Sequence, residues 1–408
     1  LLPGRDAVRF ARAYGGKQIA TVVASDVVCG PIEAALTNGM LGHSDETDDY
    51  APSGPHPGCA VIPAALALGE QFGVDGGQFI RAVTLGYDVA PRITLALGGP
   101  GFMSKGQTRA HRPMAAIFGA AAAAGCVAGL SAQQMRWLLD YTAQQASGLP
   151  SWRRDTQHVE KAFVFGGMNT RSGVTAALLV HSGCTGINDI FSGPDNFFLA
   201  NAPGGVPVEL INGLGERYDV TRTNIKKWPV GAPIQAPLDA LVLLQQRHPF
   251  NADQVRHVVV RVATRQANTV NNREIPDICL QHMVAVMLID KTVTFRSAHD
   301  FARMKDPAVL RQRAKVQLVF DENLQRLMPQ REAIVELTLN DGARLTERVE
   351  AVRGTAKNPM TRDEVETKAR DLMAFVLGEA ACTNLINKVF ALDAVKDIRE
   401  LRPLLRRA

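Results

Sequence analysis

Through the first 220 residues, apolar positions recur with the period of a helix rather than that of a strand. "SAQQMRWLLDYTAQQA" opens with Ser131 and Gln134 in capping-box spacing, then sets Met135, Leu138, Leu139 and Thr142 on one face, which predicts a helix. "NTRSGVTAALLVHSG", residues 169–183, predicts another, closed by Gly183. "PGCAVIPAALALGEQFG" predicts a third, with Pro57 suited to its first turn. The longest uncharged run, "PMAAIFGAAAAAGCVAGL" at 113–130, approaches the length of a short membrane span, but Ala and Gly leave it weakly hydrophobic. It predicts a core helix whose small residues admit close neighbours.

The pattern changes after "NIKKWPVGAPIQAP", where Pro229, Pro233 and Pro237 fall close together. "VRHVVVRVAT" (255–264) and "AKVQLVF" (314–320) are Val-rich and alternate, as strands do. "AIVELTLNDGARLTERVE" (333–350) predicts a hairpin with Asn340-Asp341-Gly342 at its tip. Helical period returns at "MTRDEVETKARDLMAFVLG", where Thr361 and Glu364 form a second capping box. The expected fold is mainly α with an inserted α+β domain. Residues 1–223 and 358–408 form the helical domain, and 224–357 the smaller α+β domain. No fixed-period repeat suggests a solenoid.

A chain of 408 residues, 46% hydrophobic and 21% charged, is long enough for two domains and an enclosed site. The net charge of +5 is mild and scattered. No Lys/Arg run interleaves with aromatics, which argues against nucleic-acid binding and leaves an anionic small molecule as the suited partner. Cysteines at 29, 59, 126, 184, 279 and 382 show no CxxC, which reads as reduced thiols in a cytoplasmic protein and argues against structural zinc or an iron–sulfur cluster. The opening "LLPGRDAVRFARAYGG" has no signal-peptide pattern and reads as an abrupt, truncated start; no membrane partner is expected.

Nucleotide-binding, serine-hydrolase and zincin signatures (GxGxxG after a strand, Walker A, GxSxG, HExxH) are missing, so candidate chemistry falls to acids, bases and cations. "GHSDETDDYAPSGPHPG" at 42–58 gathers His43, Asp45, Glu46, Asp48, Asp49 and His56. It reads as a metal site, an acid–base site or a polar loop with capping residues. His56, between two prolines before a helix, is conformationally pinned, as suits a catalytic base. Glu46 and Ser53 read as ordinary loop, and His43 and Asp45 as either supporting residues or helix caps. "KGQTRAHRPMAAIFG" places Lys105, Arg109, His111 and Arg112 before the Ala-rich helix, an arrangement suited to a carboxylate. His111 repeats the setting of His56, so the two suit an acid–base pair. Lys161 stands among Ala162, Phe163 and Phe165, and Lys226 and Lys227 lie at the expected domain boundary. Each lysine also has a plain surface reading.

"NGMLGHSDETDDY…HPG", "GYDVAPRI", "AHRPMAAIFGAAAAAG", "EKAFVFGGMNTRSGVTAALL", "IKKWP" and "GTAKNPMTRDEVETKA", in that order, resemble the MmgE/PrpD family. That family includes 2-methylcitrate dehydratase, cis-aconitate decarboxylase and iminodisuccinate epimerase. The resemblance implies homodimers of a helical domain with an α+β lid. It also implies a site in the interdomain cleft, without cofactor or metal, that acts on di- or tricarboxylates. Carried over, the site would use Asp48, His56, His111, Lys161 and Lys226, with Lys227 adjacent to the last, and the basic stretch before the Ala-rich helix adds Arg109 and Arg112 as substrate-binding residues. His56 and His111 would move protons, Asp48 would orient a His, and the lysines would clamp carboxylates. The decarboxylase branch has a His five residues after the boundary Lys, where this chain has Gly231, and "SWRRDTQHVEKAF" is more charged than the family leads one to expect. These departures rank a dehydratase first, then an epimerase of an iminodisuccinate-like diacid, then a cis-aconitate-type decarboxylase. A carboxylate binder without catalysis is a further reading.

Overall fold

The computed structural model describes residues 1–99 and 113–407. The chain divides into two compact units: Leu1–Ser44, Asp48–Thr223 and Met373–Ala408 form the first, Asp45–Thr47 and Asn224–Leu372 the second. With 58% of residues helical and 9% in strands, the class is mainly α with a smaller α+β part.

The first unit runs through α1 (Leu2–Tyr14), a short pair of strands β1 (Ala20–Thr21) and β2 (Val28–Cys29), α2 (Pro31–Gly42), α3 (Gly58–Phe72), α4 (Gly76–Ala96), α5 (Met114–Val127), α6 (Ala132–Gln145), α7 (Val159–Ala162) and α8 (Met168–His181). The Ser131 hydroxyl accepts from Gln134 N–H and the Gln134 amide oxygen from Ser131 N–H, so the predicted capping box opens α6. Helix α5 is the Ala-rich run, buried at every position except Cys126. Its small residues let backbones touch: a Cβ on Gly119 would lie 2.6 Å from the Gly86 carbonyl of α4, and one on Gly86 2.7 Å from that of Gly119. At 14 residues α5 is also short, and among the described residues no helix is long and apolar enough to cross a membrane.

The C-terminal segment completes this unit. Ile398 and Leu401 join the core of Ala60, Ala64, Leu68 and Val174. Arg402 places its guanidinium 2.9 Å from the fully buried carboxylate of Glu70, which also accepts from the Thr21 hydroxyl at 2.7 Å.

The second unit contains α9 (Ala232–Arg247), β3 (Val255–Ala263), α10 (Leu280–Asp290), β4 (Val316–Asp321), β5 (Ala333–Leu339) and β6 (Arg344–Val349), and the start of α11 (Arg362–Leu377). The sheet order is β4-β3-β5-β6, with β3 parallel to β4 and antiparallel to β5. Ala333, Val335 and Leu337 alternate inward along β5. They share a core with Ile234 and Leu238 of α9, Leu280 and Met283 of α10, and Val258 and Val260 of β3. The hairpin turns at Asn340-Asp341-Gly342, with Gly342 at φ +89° and Leu339 N–H donating to Ala343 at 2.9 Å. Thr361 and Glu364 cap α11 reciprocally, at 2.8 and 3.3 Å. All six cysteines carry free thiols.

Candidate active site

Helix α2 ends at Gly42, and His43 closes it, its N–H donating to the Met40 carbonyl at 3.3 Å. The chain then crosses to α3 through the acidic stretch. A solvated polar loop is not what forms there: Asp45, Glu46, Ser53 and Tyr50 are buried. The neighbouring acids Asp48 and Asp49 point to different partners. Asp49 accepts from Gly58 N–H at 3.0 Å, capping α3, and from the Tyr87 hydroxyl of α4 at 2.6 Å. Burial pushes the Asp49 carboxyl up, the Tyr87 hydrogen bond opposing it. Burial and the Asp49 carboxylate push the Tyr87 phenol well above its usual value. Tyr87 therefore remains a donor, and the loop is pinned at the start of α3.

Asp48 faces the two histidines. Its Oδ2 lies 2.7 Å from His43 Nδ1 and 3.0 Å from His56 Nδ1. A carboxylate only accepts, so both imidazoles present Nδ1–H to it and carry their free valence at Nε2. His43 is fully buried, whereas 16% of the His56 side chain reaches solvent. The His43 ring stacks on Phe165 at 4.7 Å and 10°, and meets His56 edge-on at 5.0 Å. Burial holds His43 below the ordinary histidine pKa; Asp48 opposes this, and Lys161 and His56 add to it.

Phe165 reaches this place from a π-helical turn, Phe163–Gly167, set between α7 and α8. The turn leaves carbonyls without their usual helical partners. The Asn169 side-chain amide donates to Val164 and Phe165 carbonyls at 3.1 and 2.8 Å, and the Thr170 hydroxyl to Gly166 at 2.8 Å. Lys161 lies on α7 with its ammonium 5.7 Å from the centres of both Trp152 and Phe165. His158, which precedes α7 in left-handed backbone (φ +63°), stands 5.5 Å from His43, ring to ring. A left-handed non-glycine residue costs about 1–3 kcal/mol.

Within the first unit the fold thus gathers Asp48, His56 and Lys161 from the sequence candidates. It adds His43, which the sequence left open, and His158 and Phe165, for which no spacing gave a signal. His43, Asp48 and His56 each offer one ligand atom within 4.8 Å of the others, a spacing that a metal ion could use if the ring protons facing Asp48 were lost. An open cavity of 670 Å³ in the same unit is lined by Met40, Arg154, Glu160 and Phe163, among others, and none of its lining residues belongs to the Asp48 cluster.

Lys226 and Lys227 belong to the second unit and diverge. Lys226 is fully buried with its ammonium 3.0 Å from Glu46, in the same unit. Glu46 is therefore no ordinary loop residue, as its place in the sequence suggested; a buried lysine draws it inward as counter-ion. Lys227 lies over the Trp228 ring at 4.7 Å. Beside Glu46, Asp45 Oδ2 stands 3.4 Å from His299 Nε2, which is 3.8 Å from Asp277. Burial opposes charge on His299, but these two carboxylates outweigh it and raise its pKa. Gly231 begins α9, its N–H donating to the Asp277 carbonyl at 2.9 Å. Lys105, Arg109, His111 and Arg112 lie outside the described residues.

Comparison with known proteins follows the same course. The chain is 28% identical to cis-aconitate decarboxylase of Aspergillus terreus, over 92% of this chain and 81% of that protein. It is 26% identical to cis-aconitate decarboxylase of Homo sapiens, over 98% and 85%. The MmgE/PrpD N-terminal domain matches residues 2–207 and the MmgE/PrpD C-terminal domain residues 228–392, so the chain belongs to the MmgE/PrpD family.

Proposed function

We propose that this protein is a lyase acting on a di- or tricarboxylate by proton transfer at His56. The observation that carries the reading is the Asp48 carboxylate shared by His43 and His56 at 2.7 and 3.0 Å. It holds His56 with Nδ1–H turned inward and Nε2 turned out, the arrangement an acid–base histidine needs. His56 is the partly exposed member of the pair, so it, rather than His43, is assigned to substrate. Lys161 supplies positive charge for a substrate carboxylate beside the aromatic rings. Lys226 and Lys227 are assigned as carboxylate ligands from the sequence; in the structure Lys226 is buried against Glu46 and Lys227 lies over Trp228. His111 as second acid–base group, and Arg109 and Arg112 as carboxylate ligands, are assigned from the sequence.

The names of the relatives favour carbon–carbon cleavage over the dehydration that the sequence ranks first. In such a step, imidazolium His56 gives its proton to a carbon of the substrate double bond. The bond to a departing carboxylate breaks as carbon dioxide leaves, and its electron pair becomes the new double bond. Dehydration is the second reading, supported by Gly231, which puts no side chain where the decarboxylase branch has a histidine. There, neutral His56 takes the proton beside a carboxylate and hydroxide departs with a proton from the second acid. The reading uses no cofactor or metal.

Proton NMR in deuterated water with citrate, methylcitrate, aconitate, malate-type and iminodiacid substrates tests it. The expected result is turnover of a tricarboxylate, with carbon dioxide release or loss of water identifying the branch. His56→Ala is expected to lower kcat by about a hundred- to ten-thousandfold. Exhaustive chelation is expected to leave turnover unchanged. Exchange of deuterium into substrate without elimination would favour an epimerase, and full activity of His56→Ala would overturn the assignment.

A further inference from the structure

We propose that His43 is a positioning residue that fixes the tautomer and orientation of His56 through the Asp48 carboxylate they share. The inference rests on the reading of His56 as the acid–base group. A partly exposed imidazole can turn over and present either nitrogen unless the carboxylate oxygen it meets is held in one place. A second, immobile donor on the same oxygen removes that freedom. His43 is such a donor. Its backbone closes α2, its ring is stacked on Phe165 and its side chain is wholly buried. Its Nδ1 makes the shorter of the two contacts to Asp48 Oδ2, 2.7 against 3.0 Å.

The same burial explains why His43 is not itself the acid–base group. Its Nε2 has no hydrogen-bond partner among the described residues and no access to solvent. Its Nδ1 proton is committed to Asp48 at 2.7 Å, and its wholly buried side chain leaves Nε2 out of reach of substrate. His43 acts on the reaction only through Asp48, as outer partners tune the ligands they hold.

The test combines ring-nitrogen NMR of the full chain labelled with ¹⁵N-histidine and steady-state kinetics. In the wild type, His56 should show one neutral tautomer with Nδ1 protonated. His43→Phe keeps a ring against Phe165 but removes the donor. His56 should then populate both tautomers, and kcat should fall about ten- to hundredfold with KM little changed. His43→Asn, whose amide nitrogen falls near the former Nδ1, should restore the single tautomer and most of kcat. His43→Gln, whose amide reaches the Nε2 position instead, should behave as His43→Phe does and replaces it if the phenylalanine variant fails to fold. A single Nδ1–H tautomer of His56 in folded His43→Phe or His43→Gln overturns the proposal, as does an Asn variant no better than these. The tautomer readout needs no substrate, so it stands or falls separately from the reaction assigned to His56.

Discussion

A buried ammonium is tolerated only with a counter-charge, and Lys226 makes this concrete. Its side chain is inaccessible to solvent and its Nζ stands 3.0 Å from Glu46. Glu46→Ala would leave that ammonium short of its carboxylate, and breaking one partner of a buried pair costs about 3–5 kcal/mol. Replacing both residues with apolar ones, Glu46→Leu with Lys226→Met, should recover most of the loss, because neither charge is then desolvated. Urea-unfolding midpoints of the three proteins check this; equal midpoints for Glu46→Ala and wild type would mean that the pair contributes nothing. Glu46 also shows how little a loop residue reveals from sequence. A helix face or strand alternation announces burial by its period, whereas the loop between α2 and α3 has none.

At the level of elements, signals confined to a few neighbouring residues were legible. The capping boxes at Ser131 and Thr361, the turn at Asn340-Asp341-Gly342 and the Val-rich strands all formed where the pattern placed them, because each depends on local hydrogen bonding or on period. Asp48 and His56 stood out because the acids and histidines cluster in sequence as well as in space. The π-helical turn was not legible. Its residues, Phe163–Gly167, have no composition that separates them from an α-helix, and the turn persists because Asn169, five positions after Val164 and buried, satisfies the carbonyls it frees. Asn169→Leu would remove those donors from buried carbonyls, at about 1–3 kcal/mol for each group left unsatisfied. We expect a lower thermal midpoint and, since Phe165 carries the ring under His43, a change in the His43 ring signals by NMR. An unaltered spectrum would mean that Phe165 holds its place without this support.

Across the whole molecule, stability should depend on pH through histidines of the second unit. His282 on α10 is wholly buried in the second unit with neither ring nitrogen hydrogen-bonded among the described residues. Burial, reinforced by Arg313 and Arg303 and opposed by Asp300, lowers its pKa from 6.5 to about 4. The unfolded chain therefore binds the proton first. Stability is lost as pH falls from 6.5 to about 4, by about 3 kcal/mol in all, and does not change further below that window on this account. His299, raised by Asp45 and Asp277, has the opposite slope in a higher window: it adds stability as pH falls toward 6.5 and no slope below that. Urea unfolding at stepped pH should show the steeper acid dependence in wild type and a shallower one in His282→Leu; parallel profiles would remove His282 from the account.

The Glu70–Arg402 pair bears on time as well as energy. Glu70 and Thr21 are made well before the arginine that neutralises the carboxylate, which is made with Ile398 and Leu401 of the same core. Between residue 223, where the main body of the first unit ends, and residue 402 the ribosome adds a further 179 residues. At about 5–20 residues per second that is a wait of roughly 10–40 s. Throughout it Glu70 is without the Arg402 guanidinium, while the chain of the second unit is complete at residue 372, before that of the first.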